Sequence, residues 1–145
     1  RDNKAVALAA VEARDQANSV WLRQAFGAAE SAQALVVALQ ADITVARWSA
    51  PCSDERRSKC DAFAALREQL RKGAAELGKP VLVAHGDTGR FCVDREFGGR
   101  RAPNLWRLNN GGDYVMDAAI VMAGDNATTF SFFRLRTGEP LETIC

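Results

Sequence analysis

One pattern constrains the fold more than any other: an apolar run, an amphipathic helix and a second apolar run, closely joined. "ALVVALQAD", Ala34 to Asp42, is continuously apolar until its polar end. That is the signature of a strand buried on both faces. Residues 44–60 read as a loop holding Trp48, Pro51 and two cysteines. Residues 61–77 read as a helix whose buried stripe is Phe63, Leu66, Leu70, Ala74 and Leu77. Gly78 is the expected stop, and Pro80 prevents continuation. "VLVA", Val81 to Ala84, supplies a second buried strand. Strand, helix and strand with short joints make a parallel crossover unit.

On either side the character differs. Residues 4–31 read as helix, with Gly27 as a point where it could break. Val6, Ala10, Ala13, Ala17, Val20 or Trp21, Ala25 and Ala28 keep near-helical spacing. After residue 89 come short β-like runs, "RFCVDREF", "NLWRLN", "YVMDAAIVMA" and "TFSFFRLR". Turn formers separate them at Gly98-Gly99, Asn109 to Asp113 and Gly124 to Asn126. The expected fold class is α/β: a parallel strand-helix-strand front half followed by short antiparallel strands.

With 145 residues, 1–145 is one domain able to bury a real core. A net charge of +1 offers no strong field for nucleic acid or an anionic membrane. No apolar run approaches the ~20 residues of a membrane helix. The opening "RDNKAVALAAVEARDQ" reads as mid-protein helix, so the expectation is the carboxyl-terminal part of a longer protein.

Four cysteines, Cys52, Cys60, Cys92 and Cys145, contain no CxxC pair and allow three pairings. Cys52 and Cys60 bracket the charged loop "SDERRSK" and form a natural local disulfide. Cys92 and Cys145 then remain for a second. Two disulfides would mean an oxidising compartment, secreted or periplasmic. The alternative is four free, partly buried thiols in a cytoplasmic protein.

Candidate chemistry gathers at the strand ends, where open α/β sheets bind ligands. One end is Gln40-Ala41-Asp42. The other is His85-Gly86-Asp87-Thr88-Gly89, with the only histidine. The two converge if the strands are neighbours. A lone strand-end histidine is more often a hydrogen-bonded structural residue than a ligand. No Gly-Lys-Ser/Thr follows, so this is not a P-loop, and there is no Gly-x-Ser-x-Gly elbow. Gly86 and Gly89 most simply supply turn backbone with positive φ.

"GKPVLVAHGDTGRFCVDREF" followed by "APNLWRLNNGGD" resembles the carboxyl-terminal half of a bacterial branch of the calcineurin-like metallophosphoesterases. Those proteins carry G-K/R-P-V-L-L-x-H-G-D-S-H-x-F-x-V-D. "ANSVWLRQAF" and "VVALQAD" resemble the helix and strand that precede it, in the same order. The resemblance implies half of a layered α/β sandwich around a two-metal site. Such metals activate a water and clamp phosphate oxygens, and Mn, Fe or Zn suit the mixed imidazole and carboxylate ligands.

The sequence departs from the family where the chemistry lies. The amino-terminal ligand blocks are absent. Gln40 stands where the wider family has a metal-binding His. Gly89 stands where the recognised branch keeps its last His, and His85 does not match a family ligand. Asp87, Gln40 and Asp42 are left as a weak, vestigial oxygen site of the hard-cation type. His85, Gly86, Thr88 and Gly89 complete the site turn.

The expectations follow. No catalytic residue is assigned, and no cofactor is bound tightly, although a divalent metal would belong to the complete protein. The chain is a degenerate or incomplete phosphoesterase domain acting in binding or structure. The alternatives are an active phosphoesterase completed by a missing amino-terminal segment or partner chain, and a secreted disulfide-stapled interaction protein. Its own missing segment or another copy is the expected partner.

Arg90 is a candidate phosphate contact within the run Arg90, Arg95, Arg100, Arg101 and Arg107. The plainer reading of that run is a solvated strand face and loop. Trp48 is the candidate exposed aromatic anchor. Asn126-Ala127-Thr128 is a glycosylation sequon that carries no weight by itself.

Overall fold

A computed structural model describes residues 2–53, 55–86, 88, 90–112, 115–124 and 129–145, with backbone only for Asp2 and Lys4. Helix α1 is Asp2–Ala28, followed by a 3-10 turn, Ala29–Ser31. Strand β1 is Leu35–Ala38, helix α2 is Ala64–Leu77 and strand β2 is Val81–His85. Then come β3 (Cys92–Asp94), a 3-10 turn (Gly99–Arg101), β4 (Leu105–Asn109), β5 (Ala119–Ala123) and β6 (Phe130–Arg134).

The expected crossover unit is present. β1 and β2 are parallel neighbours, Leu35 opposite Val81, with α2 between them in sequence. α2 stops where Gly78 takes the left-handed conformation at φ 66°, and its N–H caps the Ala74 carbonyl at 3.0 Å. Gly73 lets α1 come close. A Cβ there would lie 2.4 Å from the Phe26 ring, so only glycine fits without displacing it.

The four-stranded sheet runs β1-β2-β4-β3, and β5-β6 form a separate antiparallel hairpin. The tail is less antiparallel than expected, because β4 runs parallel to β2 and only β3 opposes it. The long excursion through β3 and residues 95–104 lets the chain return in the parallel sense. The helices cover one face through Leu22, Leu70 and Ala74 against Val37, Val81, Val83 and Leu105. The hairpin covers the other, where Phe130 and Phe132 meet Leu82, Trp106 and Leu108. The result is three layers.

One expectation of burial is corrected. β1 is not buried on both faces. It is an edge strand beyond the hairpin's reach, and Val36 is 55% exposed. The stripe of α1 faces away from the domain, leaving Val6 67% and Trp21 56% exposed. α1 packs through the opposite side of its last turns, Leu22 and Phe26. It also runs through Gly27 without a break.

Both disulfides, Cys52–Cys60 and Cys92–Cys145, are formed as paired above. No helix among the described residues is long and apolar enough to cross a membrane.

Candidate functional site

β1, β2 and β4 end on the same side of the sheet. On the helix face, β2 presents Val81, Val83 and His85, and β4 presents Leu105, Arg107 and Asn109. The register sets Val83 beside Arg107 and His85 beside Asn109. Each strand therefore starts in the apolar core and finishes in polar groups. Past β1, buried Ile43 anchors the chain in that core and holds Asp42 and Thr44 beside it.

Asp42 is the hub, and it is buried. Its Oδ1 accepts from the Thr44 N–H at 2.8 Å and the Thr44 hydroxyl at 2.5 Å. Its Oδ2 accepts from the Thr88 hydroxyl at 2.8 Å. Thr88 Oγ1 in turn accepts from Asn109 Nδ2 at 2.6 Å. Burial by itself would raise the Asp42 pKa. The hydrogen bonds from Thr44 and Thr88 outweigh it and hold the carboxyl below its ordinary range.

His85 is 1% exposed. Its Nδ1 lies 3.0 Å from the Gly86 carbonyl, which can only accept, so Nδ1 carries the proton. Nε2 is then a lone pair, and Arg107 Nη1 donates to it at 3.3 Å. This fits the reading of a hydrogen-bonded structural histidine. Arg107 Nη1 also donates to Thr44 Oγ1 at 3.2 Å and lies 3.8 Å from Asp42 Oδ1. Its Nη2 is 3.7 Å from Asp94 Oδ2 on β3, and its guanidinium lies over the Phe97 ring. Arg107 Nε and Asn109 Oδ1 are buried without a hydrogen-bond partner among the described residues.

Of the residues expected at the site, Asp42, His85 and Thr88 come together. Gln40 is exposed, and its backbone carbonyl, accepting from the Gly86 N–H at 3.3 Å, ties the two strand ends. Gly86 does not have the positive φ expected of it, since the chain leaves β2 in ordinary backbone geometry there. Arg90 is exposed. Asp87, Gly89 and the Asn126 sequon lie outside the described residues.

The arginine run does not gather. Arg101 pairs with Glu68 at 2.9 Å and Arg95 stacks on Trp106, while Arg107 is a buried group and not part of a solvated face. Sequence reasoning missed Thr44, Asn109 and the buried role of Arg107. The signal lay in Leu105-x-Arg107-x-Asn109, a period of two that puts Arg and Asn on the core face of a strand.

Chemically the cluster is a closed ion pair with its hydroxyls committed. The Thr88 proton is given to Asp42, and the His85 lone pair is covered by a cation. No group of three or more His, Cys, Asp or Glu side chains that could hold a metal occurs among the described residues. Surface clefts among the described residues lie elsewhere. One of about 770 Å³ runs between α1 and α2 past Phe26 and Gly73, and one of about 510 Å³ lies beside β3.

Fold and cluster define a mixed α/β domain with a buried polar centre at its parallel strand ends. Comparison with family models, with curated proteins and with solved structures gives no match.

Proposed function

We propose that this chain is a domain of the calcineurin-like metallophosphoesterase type whose strand-end cation has been replaced by its own guanidinium. It works by binding or as a scaffold, without turnover. One observation carries the reading. Arg107 Nη1 sits 3.2–3.8 Å from Thr44 Oγ1, His85 Nε2 and Asp42 Oδ1, three possible metal donors gathered around one nitrogen. A divalent ion there would take the same donors at about 2.0–2.6 Å. It would also meet a fixed positive charge, so guanidinium and metal exclude each other. The two disulfides fit a protein of an oxidising compartment.

The test is calorimetry with Mn and Zn on the wild type and on Arg107→Ala, with a phosphodiester assay beside it. Wild type is expected to take up no tight stoichiometric ion. The variant is expected to gain zinc affinity through Asp42 and His85 and to remain inactive. Two tightly held ions per wild-type chain, with hydrolysis, would sink the proposal.

A second reading, a phosphoesterase completed by another segment or chain, draws on the outer edge of β1. The Leu35 and Leu39 N–H groups bond to Pro80 and Ala84, so the peptides of Val36 and Ala38 point away from β2. An open edge of this kind accepts a further strand. Assaying the full reading frame separates the two: metal-dependent hydrolysis by the longer protein favours the second.

A further inference from the structure

The two disulfides sit in opposite settings. Cys92 is 1% exposed, on a strand whose neighbours Phe91 and Val93 enter the second core. Cys145 is drawn onto that strand by backbone bonds. The Val93 N–H donates to Thr143 at 2.8 Å, and the Cys145 N–H donates to Val93 at 3.2 Å. Cys52 and Cys60 instead close a surface excursion. Cys52 is exposed and Cys60 half-buried, and the described residues between them are all exposed. The base of the excursion does not depend on the sulfurs. The Asp61 N–H donates to Ala50 at 2.7 Å, and its carboxylate takes the Arg67 guanidinium, which also bonds the Ile43 carbonyl at 2.7 Å. Opening the sulfur bridge therefore frees 52–60 and leaves the core anchored.

We infer that Cys52–Cys60 is a thiol–disulfide exchange site, and that its state sets how firmly the excursion holds α1 through the Arg57–Glu12 ion pair. The co-reactant is a dithiol. Its thiolate attacks one cysteine sulfur, the S–S bond breaks, and the other cysteine leaves as a thiolate. The second thiol of the reagent then resolves the mixed disulfide. Two electrons and two protons end on Cys52 and Cys60, and the dithiol becomes a cyclic disulfide. The stretch between the two cysteines holds Arg56, Arg57 and Lys59 against Asp54 and Glu55, so its balance is positive, the sign that favours a leaving thiolate. Lys59, beside Cys60, is the one non-glycine among the described residues held at positive φ (55°), a conformation that opening would relax.

Arg57 ties the excursion to the middle of a helix whose first half, among the described side chains, is exposed apart from half-buried Leu8. In the oxidised state the bridge limits where Arg57 can go, so the pair costs little entropy. In the reduced state the same contact must order a free loop.

The experiment treats the folded protein with graded dithiothreitol, quenches with iodoacetamide, and maps labelled cysteines while circular dichroism reports the fold. Cys52 and Cys60 are expected to label at least about tenfold faster than Cys92 and Cys145, because access governs exchange. The fold should stay intact. Amide hydrogen exchange near Glu12 should quicken in the selectively reduced protein and in Arg57→Gln. All four cysteines labelling together, Cys92 and Cys145 labelling first, or labelling only after unfolding would overturn the exchange site. Unchanged exchange near Glu12 after selective reduction would overturn the link to α1.

Discussion

The central strands β2 and β4 show two unlike faces. Toward the hairpin, Leu82, Trp106 and Leu108 meet Phe130, Phe132 and Leu141, apolar along the whole length. Trp106 stacks on Phe132 at 5.8 Å and meets the edge of Phe130 at 5.9 Å. Toward the helices, the same strands begin with Val81, Val83 and Leu105 and end with His85, Arg107 and Asn109. The polar groups appear only where the parallel strands end, and only on the face that Asp42 reaches. One face is held by area and shape, and the other, at its far end, by charge. The two must then fail differently.

The largest effects come from breaking each face once. Phe132→Ala should cost about 3–5 kcal/mol, as a cavity in an aromatic core does. Arg107→Ala should cost a similar amount, about 3–5 kcal/mol, because it removes the buried guanidinium that lies 3.8 Å from the Asp42 carboxylate and donates to Thr44 and His85. The two deficits part company in acid. Protonating Asp42 removes the charge that faced the guanidinium, so the Arg107→Ala deficit shrinks while the Phe132→Ala deficit holds. Urea unfolding at pH 7 and at about pH 3, below the ordinary carboxylate range, decides it. Equal deficits for both variants at both pH values would erase the distinction between the faces.

Asp42→Asn sharpens the same comparison with a smaller change. It keeps the shape and one acceptor but loses the charge, for about 1–3 kcal/mol. The folded pKa of Asp42 lies below its unfolded value. Its stabilisation is therefore complete above the ordinary carboxylate value and is lost as pH falls through the lowered folded one. The Asn variant should lose that part of the acid slope. What remains belongs to Asp61, held low chiefly by the Arg67 hydrogen bond. It belongs also to Asp117, where burial opposes but the Arg136 and Ala118 amides prevail. A variant with the full wild-type slope would show that Asp42 is not ionised in the fold.

Much of the apolar face and the crossover unit was legible in the sequence, because helix stripes, Gly78 and Pro80 are local signals. The pairing of four cysteines was legible from one short loop and the remainder. The direction of β4 was not. A five-residue run has no mark of parallel or antiparallel pairing; a long return path, not composition, decides it. The exposure of the Val6-to-Trp21 stripe was equally hidden, since spacing says which residues share a face and not whether anything covers it. At the site, Asp42, His85 and Thr88 could be named because they follow recognisable strands. Arg107 and Asn109 left only the period of two after Leu105, because an arginine inside a short strand reads as a solvated residue until its partners are in place. Asp42 is 46 positions from Thr88, and Thr44 is 63 from Arg107.

The smallest effect tests whether the polar end is one network or several separate bonds. Thr88 links Asn109 to Asp42 by accepting from one and donating to the other. Thr88→Val removes both bonds and should cost about 0.5–1.5 kcal/mol. Thr88→Ser keeps the hydroxyl and should cost less. In a connected network, Thr88→Val and Asp42→Asn delete the same Oδ2 contact, so the double variant should fall short of the sum by roughly 0.5 kcal/mol or more. Paired with Phe132→Ala, across the sheet and sharing no bond, Thr88→Val should instead add within about 0.5 kcal/mol. Additivity in both pairs, read from urea midpoints, would reduce the cluster to independent contacts. Coupling across the sheet would show that the two faces are not separate.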